Sequence, residues 1–289
     1  MTHDEAIQVI RNSSISQFAA QLEVYLLPSI RLRTRRTPLH LLGLGESRFG
    51  GAPDWPAGTS WPYVNGIPLA FIAQIHLPDL RRFVDSSDIP TRGWLCCFYE
   101  AKGQEAWGFD PKHRNHWRVV HFDEPAERLE RAAPPPLPEE SEFWPCRLDF
   151  EIEYVLPPEL ILPGIFEPET AETLFDPYSE LIGTLNGNGK RPIHRMFGLE
   201  AAIQQGDMRY QCQLASNGVY CGDLIPDDDP RVQELDERED YWELLLQVDT
   251  DEDGPGWMWG DCGRIYYWIT AADLDQEAYD RAWMILECY

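Results

Sequence analysis

The sequence predicts an α+β fold. A duplicated unit with mostly antiparallel sheets would pack as one pseudo-symmetric body, with short helices at the N-terminus. Three observations support this prediction. Apolar and aromatic runs of strand length recur along the chain, stretches of helical periodicity are short, and a glutamine-bearing strand followed by an aromatic strand occurs twice.

The two occurrences centre on Gln74 and Gln247. "LAFIAQIHL" resembles "ELLLQVDT" around these residues, and each is followed by a glycine, Gly93 or Gly263, that opens an aromatic strand. Upstream, "RFGGAPDWP" from residue 48 resembles "MFGLEAAIQ" from residue 196. We therefore expect a single domain that contains two repeats and a proline-rich connector. The domain spans residues 1–289, the repeats about 40–122 and 194–289, and the connector 123–146.

One broken helix or two short amphipathic helices, followed by an arginine-rich strand, are predicted to begin the chain. Thr2 and Glu5 have the spacing of a capping box, and apolar residues with helical spacing follow as far as Pro28. The next segment alternates arginine with leucine and threonine, so several arginines share one strand face and are expected to pair with the protein's own acids. These are Arg31, Arg33, Arg35 and Arg36.

Further along, strands are predicted to alternate with short helices. Helical patterns cover 169–185, part of 231–240 and "AADLDQEAYDRA". Strand patterns cover 68–77, 93–100, 117–122, 147–157, 241–248, 263–270 and the closing "WMILECY".

The formal net charge is −25, from 24 basic and 49 acidic residues. Such a charge repels phosphate backbones, so we do not expect DNA or RNA to bind over a broad surface. The same field attracts a basic protein and speeds their encounter. The alternative is that the acidity serves only solubility.

Cysteine usage and the N-terminus favour the cytoplasm. The seven cysteines form no CxxC pair, which favours buried thiols over disulfides or a zinc ribbon. The first residues lack the basic and apolar regions of a signal peptide, and no apolar run is long enough to cross a membrane.

The densest charge lies between residues 225 and 253. A run of acids is often only a solvated face, and that interpretation stays open. These acids, however, flank a core strand and are interleaved with two aromatic residues, which suits docking of a basic protein. The candidate partner-binding residues are Asp227, Asp228, Asp229, Glu234, Asp236, Glu237, Glu239, Asp240, Tyr241 and Trp242.

Several short motifs fall short of a catalytic, metal or cofactor site. His113, His116 and nearby His121 have no fixed fourth ligand and are interpreted as surface histidines. "DTDEDG" from Asp249 begins like a calcium loop, but Gly260 stands where the bidentate glutamate belongs, so we expect a hairpin with a solvated acidic tip. The glycines of "LGLGESRFGG" and "GNGKRP" fit no nucleotide-binding loop and predict turns.

The stretch "GWMWGDCGRIYYWI" (256–269) is the strongest suggestion of an active site, because it concentrates aromatics, glycines and an acid. We interpret it as a turn and a core strand, since its position repeats in the first half, where the chemistry differs. The Asp261 carboxylate is expected to cap backbone amides of that turn.

Three blocks of the chain carry between them a spaced set of glycines, prolines, tryptophans, glutamines and aspartates. They are "RFGGAPDWPAGTSWPYVNGIPLAFIAQIHL", "HRMFGLEAAIQQGDM" and "LLLQVDTDEDGPGWMWGDCGRIYYWITAADL". In this pattern the chain resembles the bacterial YwqG-like family over roughly residues 40 to 289, while the N-terminal region and the acidic segment 223–243 depart from it. The matching residues, expected to be mainly structural, are Gly50, Gly51, Pro53, Pro56, Trp61, Pro62, Gln74, Gln204, Asp207, Gln247, Trp259, Gly260, Asp261 and Gly263.

This resemblance implies a domain of unknown function with an α+β fold built from a duplicated unit, and it brings no catalytic residues. Members of the family tend to be encoded near polymorphic toxins, and some resemble immunity proteins of contact-dependent or type VI secretion systems. The resemblance thus implies a protein that binds a toxin, and nuclease toxins are commonly basic.

The first hypothesis is therefore a cytoplasmic immunity protein without catalytic residues, metal or cofactor. It would neutralise a cognate basic toxin, a nuclease effector of a secretion system, by stoichiometric occlusion, and bind neither nucleic acid nor membrane. The alternative is a small-ligand-binding or metabolic protein with a cleft between the two halves, lined by Gln74, Gln247, Trp61 and Asp261. A scaffold without a single partner is the third hypothesis.

Overall fold

A computed structural model describes residues 1–83, 92–157, 168–188, 192–204, 206–223, 229–237 and 241–289. Its helices are α1 (His3–Arg11), α2 (Ala19–Leu22), α3 (Pro168–Leu185), α4 (Met208–Ser216), α5 (Pro230–Glu237) and α6 (Ala271–Asp275). Its strands are β1 (Leu27–Arg36), β2 (Arg48–Phe49), β3 (Asp54–Pro56), β4 (Tyr63–Val64), β5 (Ile67–Pro68), β6 (Ala70–His76), β7 (Trp94–Tyr99), β8 (Trp117–Phe122), β9 (Leu129–Arg131), β10 (Cys146–Val155), β11 (His194–Met196), β12 (Trp242–Asp249), β13 (Arg264–Thr270) and β14 (Trp283–Glu287).

In the described residues one ten-stranded antiparallel sheet has the order β14-β13-β12-β11-β1-β10-β2-β6-β7-β8. The sheet curves until it nearly closes. Near its two ends, Tyr267 Oη donates a hydrogen bond to Phe98 O at 3.2 Å, and Trp117 Nε1 donates one to Ala282 O at 3.0 Å. The prediction of an α+β fold with mostly antiparallel strands is confirmed.

β1 lies in the middle of this sheet, between β10 and β11. It pairs with β10 over its whole length, from Leu27 opposite Val155 to Arg36 opposite Cys146. The expected ion pairs with the protein's own acids form across this register: Arg31–Glu153 at 2.7 Å, Arg33–Glu151 at 3.2 Å and Arg35–Asp149 at 3.5 Å. Arg36 instead donates to the backbone oxygens of Glu252 and Gly254.

The predicted capping box at the N-terminus is confirmed. Glu5 N donates to Thr2 Oγ1 at 3.3 Å, and Thr2 N donates to Glu5 Oε2 at 2.7 Å. Behind this cap, Ala6 and Ile10 of α1 are fully buried in a cluster with Tyr178 of α3. Among the described residues, no helix combines the length and apolarity that a membrane crossing requires.

Matching features lie on either side of the β1–β10 pair. Arg48 of β2 stands opposite Gln74 of β6, and Arg195 of β11 stands opposite Gln247 of β12. The register of β6 with β7 shifts between residues 71 and 73, and that of β12 with β13 shifts between 244 and 246. These contacts give Arg48 and Arg195 the same kind of partner, whereas the sequence comparison matches Arg48 with Met196.

The proline-rich segment 123–146 holds a strand that the sequence did not predict. β9 lies within it and pairs with β3, so that Trp55 stands opposite Glu130. The segment is thus anchored to the first half of the chain. The short strands β2 and β11 and helix α4 were also not predicted, whereas α3 and the seven longer strand patterns occur close to their expected bounds.

Candidate functional site

α5 carries the described part of the acidic segment. Val232 and Leu235 are buried in the main core, while Glu234 and Asp236 point to solvent. The helix therefore presents a short acidic face on a firmly packed base. The candidate residues Asp227, Asp228, Glu239 and Asp240 lie outside the described residues, as does the side chain of Glu237.

Asp229, just before α5, has a local partner. Its carboxylate accepts hydrogen bonds from the backbone N of Arg231 at 2.9 Å and from the guanidinium of that residue at 2.6 Å. These hydrogen bonds lower the pKa of Asp229. The charge of Asp229 is thus partly compensated by its neighbour before any partner arrives.

The two aromatic residues at the end of the acidic segment differ in exposure. Tyr241 is 71% exposed, whereas Trp242 is 6% exposed and its Nε1 donates to Gln213 Oε1 at 2.9 Å. Trp242 belongs to the core, and Tyr241 is the residue of the pair that solvent reaches.

Two buried polar clusters occupy the positions of the shared motifs. The first, named the Arg48 cluster, consists of Arg48, Asp54, Gln74 and Arg131. Asp54 Oδ2 lies 2.9 Å from Arg48 Nη1, and Asp54 Oδ1 lies 2.9 Å from Arg131 Nε. Burial disfavours the charged carboxylate, but the two arginines outweigh it and hold the pKa of Asp54 below its usual value.

The second, named the Asp249 cluster, consists of Asp249, Arg264, His194 and Asp251. Asp249 Oδ1 pairs with Arg264 Nε at 3.0 Å, and His194 Nε2 lies 3.2 Å from Asp251 Oδ2. His194 Nδ1 accepts from the backbone N of Asp249, which assigns the ring proton to Nε2. Burial lowers the pKa of His194, although Asp251 opposes this, so the imidazole is neutral at pH 7.

The His194–Asp251 pair has the composition of a catalytic dyad but not its accessibility. The His194 side chain is 0% exposed and the Asp251 side chain 4% exposed, and both nitrogens of the ring are engaged. The prediction of a solvated acidic tip at "DTDEDG" was wrong for Asp249 and Asp251, because a buried arginine and a buried histidine require these carboxylates. No described group of His, Cys, Asp and Glu could hold a metal ion.

The side chains of Gln74 and Gln247 are hydrogen-bonded to backbone groups. Gln74 Oε1 accepts from Asp54 N at 2.6 Å, and Gln247 Oε1 accepts from Ala201 N at 2.8 Å. Both glutamines have no exposed surface. They therefore cannot line an open cleft between the halves. Trp61 Nε1 is likewise bound to Leu69 O.

The motif glycines and prolines lie where the backbone turns, approaches another strand closely or accepts hydrogen bonds. Gly50, Gly51 and Gly260 have φ of +61°, +73° and +51°, conformations that favour glycine. A Cβ on Gly263 would collide with the carbonyl oxygens of Glu287 and Trp259. Pro53 O, Pro56 O and Pro62 O accept turn and strand hydrogen bonds from Ala132 N, Thr59 N and Leu69 N.

The remaining polar residues of the second and third motif blocks have structural partners, with one exception. Asp207 caps α4, since its Oδ1 accepts from Arg209 N at 2.9 Å, and Gln204 Nε2 donates to Cys288 O at 2.8 Å. Trp259 is fully buried. The expectation that Asp261 caps its turn was wrong: its carboxylate is exposed and accepts no hydrogen bond from a described residue. The amides of Gly260 and Gly263 are bound by Gln104 Oε1 and Trp259 O.

The buried thiols are poor nucleophiles. Burial raises the pKa of Cys96, Cys97 and Cys212, that of Cys146 to about 12 and that of Cys221 to about 11. A thiol is reactive as its thiolate, so these groups are inert at neutral pH.

The three neighbouring histidines, His113, His116 and His121, are half-buried. Burial, together with the nearby His113, lowers the pKa of His116.

An open groove of about 750 Å³ was not predicted from the sequence. Three segments line it: the turn before β2, the turn after β6 and the first half of β10. The lining residues are Glu46, Ser47, Pro78, Asp79, Arg81, Arg82, Arg147, Leu148, Asp149 and Phe150.

Comparison with known families gives one match whose range includes both polar clusters and α5. A family described as a domain of unknown function, DUF1963, matches residues 47–288. The chain belongs to the DUF1963 family. Its match spans both halves of the sheet and leaves out most of the N-terminal region, including β1. None of the curated proteins searched matches the chain.

Proposed function

We propose that this DUF1963 protein is a YwqG-like cytoplasmic immunity protein that binds a basic antibacterial toxin and blocks it stoichiometrically. One observation carries the proposal: the excess of acids lies outside the core. Among the residues that the structure describes, the buried charges nearly balance, because four buried arginines face six buried carboxylates. These buried groups account for little of the −25 net charge, and the rest supports electrostatic attraction of a cationic partner.

The buried polar groups support a binding role over a catalytic one. A catalytic dyad needs a substrate within hydrogen-bond reach of the base. In the Asp249 cluster both nitrogens of His194 already bind protein groups, and in the Arg48 cluster the carboxylate of Asp54 is held by two guanidiniums. Such clusters stiffen a scaffold, and a rigid scaffold lowers the cost of binding a partner.

α5 and Tyr241 form the proposed contact. Glu234 and Asp236 supply charge, and Tyr241 supplies an exposed aromatic ring of the kind that anchors interfaces. Trp242 is left out of the proposed contact because it is buried.

The test is capture of partners by the tagged full chain from a lysate of its source bacterium, at low and at moderate salt, read by mass spectrometry. The expected result is one stoichiometric basic protein with a toxin or secretion domain. That protein should arrest growth when expressed alone and not when expressed with this chain. A lysate shown to contain the neighbouring toxin candidates that yields no retained protein overturns the proposal.

We also infer that the sheet arose from a duplicated unit. The matching sheet order on either side of β1–β10, the paired Arg–Gln contacts and the register shifts at corresponding places support this. So do Gly51 and Gly198, which both have positive φ three residues after the aligned arginines. Equivalent substitutions in the two halves should have similar effects on stability.

A further inference from the structure

The groove beside β10 has the size of a small-molecule site. Its volume of about 750 Å³ lies within the range of roughly 300–1,000 Å³ that is usual for ligand pockets. It is formed by strand β10 and by two turns that follow or precede strands of the same sheet. Its framework is therefore fixed by the sheet.

The carboxylates of the groove already have partners. Glu46 pairs with Arg147 at 3.0 Å and Asp149 with Arg35 at 3.5 Å. Asp79 Oδ1 lies 3.1 Å from His76 Nδ1. These acids are thus compensated within the protein.

Two of the groove's arginines remain available. Arg81 and Arg82 are exposed, and neither forms an ion pair with any residue in the described part of the chain. The protein has a net charge of −25. Two adjacent guanidiniums that form no ion pair with a described residue therefore make the edge of this groove a locally cationic site. Guanidiniums bind carboxylate and phosphate groups through paired hydrogen bonds.

Apolar surface lies next to these cations. Leu148 is 6% exposed, and the half-buried ring of Phe150 is 6.4 Å from that of Phe83. The guanidinium carbon of Arg82 sits 4.7 Å from the centre of the Phe83 ring. A ligand that reaches the arginines would also meet aliphatic and aromatic carbon.

We propose that this groove binds a small organic anion whose carboxylate or phosphate pairs with Arg81 and Arg82 and whose apolar part packs on Leu148 and Phe150. A long polyanion would extend beyond the groove into the surrounding negative field, whereas a small anion would not. The proposal does not rest on toxin binding, since the lining residues are separate from α5 and Tyr241.

Isothermal titration calorimetry of the full chain with four probes tests this. The probes are 3-phenylpropionate, phenyl phosphate, the neutral 3-phenylpropanol and inorganic phosphate. At least one of the two phenyl anions should bind at least about tenfold more tightly than both the alcohol and inorganic phosphate. The phenyl anion that binds more tightly identifies the anionic group, carboxylate or phosphate, that the groove prefers.

The double variant Arg81→Gln/Arg82→Gln should weaken that binding by at least about tenfold. Since both side chains are exposed and form no ion pair with a described residue, its unfolding midpoint should stay close to that of the wild type. The matched control is Arg281→Gln, an exposed arginine near β14, which should leave binding unchanged. Equal binding of anion and alcohol, undetectable binding of both anions, or full binding by the double variant overturns the proposal.

Discussion

Arg48 and Asp54 have no exposed side-chain surface, and their charged atoms are 2.9 Å apart. Neither group would be tolerated in the core without the other, because an isolated buried charge loses its hydration without compensation. Arg131 adds a second cation to the same carboxylate. At this scale the protein is held together by polar groups whose partners are all internal, so removing one member should cost far more than removing an exposed ion pair.

Asp54→Asn should therefore destabilise the fold by about 3–5 kcal/mol, the usual cost of leaving a buried charge unpaired. Asp149→Asn is the matched control, since its side chain is 58% exposed in a pair with Arg35. That change should cost about 1 kcal/mol or less. Urea unfolding at neutral pH measures both, and similar losses for the two variants would show that the Arg48 cluster contributes little.

Glu287 is a buried acid whose pKa is raised, in contrast to Asp54, and this difference can be tested through the pH dependence of stability. Burial raises its pKa above the ordinary 4.5, although hydrogen bonds from the backbone N–H groups of Ile203 and Gln204 oppose the shift. An acid whose pKa is higher in the folded state loses stability as pH rises from its unfolded pKa through its folded one.

In Glu287→Gln that loss is absent. Its unfolding free energy relative to wild type should therefore increase as pH rises above the ordinary pKa of 4.5, as urea unfolding at several pH values would measure. Glu252→Gln, a change at an exposed acid, is the control for removal of a carboxylate, and its difference should grow less with pH. A difference for Glu287→Gln that does not grow with pH would contradict the raised pKa.

At the scale of elements, local patterns predicted what local interactions form. The capping box, α3 and the long strands follow from side-chain periodicity and caps. β2 and β11 hold two and three residues, too few for any period, and they exist because longer strands pair with them. Of the candidate site, the exposed acids of α5 were predictable from composition. The burial of Asp249 was not, because its counterion Arg264 comes from another strand.

The glycines that open β7 and β13 test whether equivalent elements carry equivalent constraints. A Cβ on Gly93 or Gly263 would collide with the carbonyl oxygen of Phe122 or Glu287 on the neighbouring strand. Gly93→Ala and Gly263→Ala should each destabilise by about 3 kcal/mol or more, from overpacking of backbone.

Gly58→Ala is the control for these two variants. Gly58, like Gly93, has a positive φ, here +82°, but its Cβ would meet nothing within 4 Å. Its cost should be only the backbone strain of about 1–2 kcal/mol. Thermal unfolding of the three variants separates collision from strain. A Gly58→Ala midpoint as low as the other two would contradict the collisions, and clearly different midpoints for Gly93→Ala and Gly263→Ala would contradict the proposed equivalence.

At the scale of the whole molecule, most of the described buried charges form ion pairs, whereas the exposed surface carries an excess of acidic side chains. Such a surface acts on how fast a cationic partner arrives more than on how long it stays. The rate constant for association with the captured toxin should fall steeply as salt is raised past the level at which the Debye length is about 10 Å. Dissociation should change little. Stopped-flow mixing measures both, and salt-independent association would contradict electrostatic steering.

The contribution of α5 to that field can be isolated. Glu234→Gln/Asp236→Asn and Glu252→Gln/Asp253→Asn remove the same charge from exposed sites. The first pair should slow association by about twofold or more, and the second should slow it less. Equal effects would mean that net charge matters and that α5 is not the contact.

The thiols report on the packing of the entire body. None of the seven cysteines forms a disulfide, and Cys262 is the one that is partly exposed. Under native conditions a thiol reagent such as Ellman's should label it first, with the other six protected until unfolding. Rapid labelling of several thiols in the folded protein would contradict the packing of these strands.

The central place of β1 has a consequence for how the chain is made. β1 is synthesised before both of its neighbours, β10 and β11, which begin at residues 146 and 194. A nascent chain thus carries a strand with two unpaired edges while more than a hundred residues are still to be added. Closing such distant pairs is slow. During translation, this strand is where we expect chaperones to bind first and where aggregation would start.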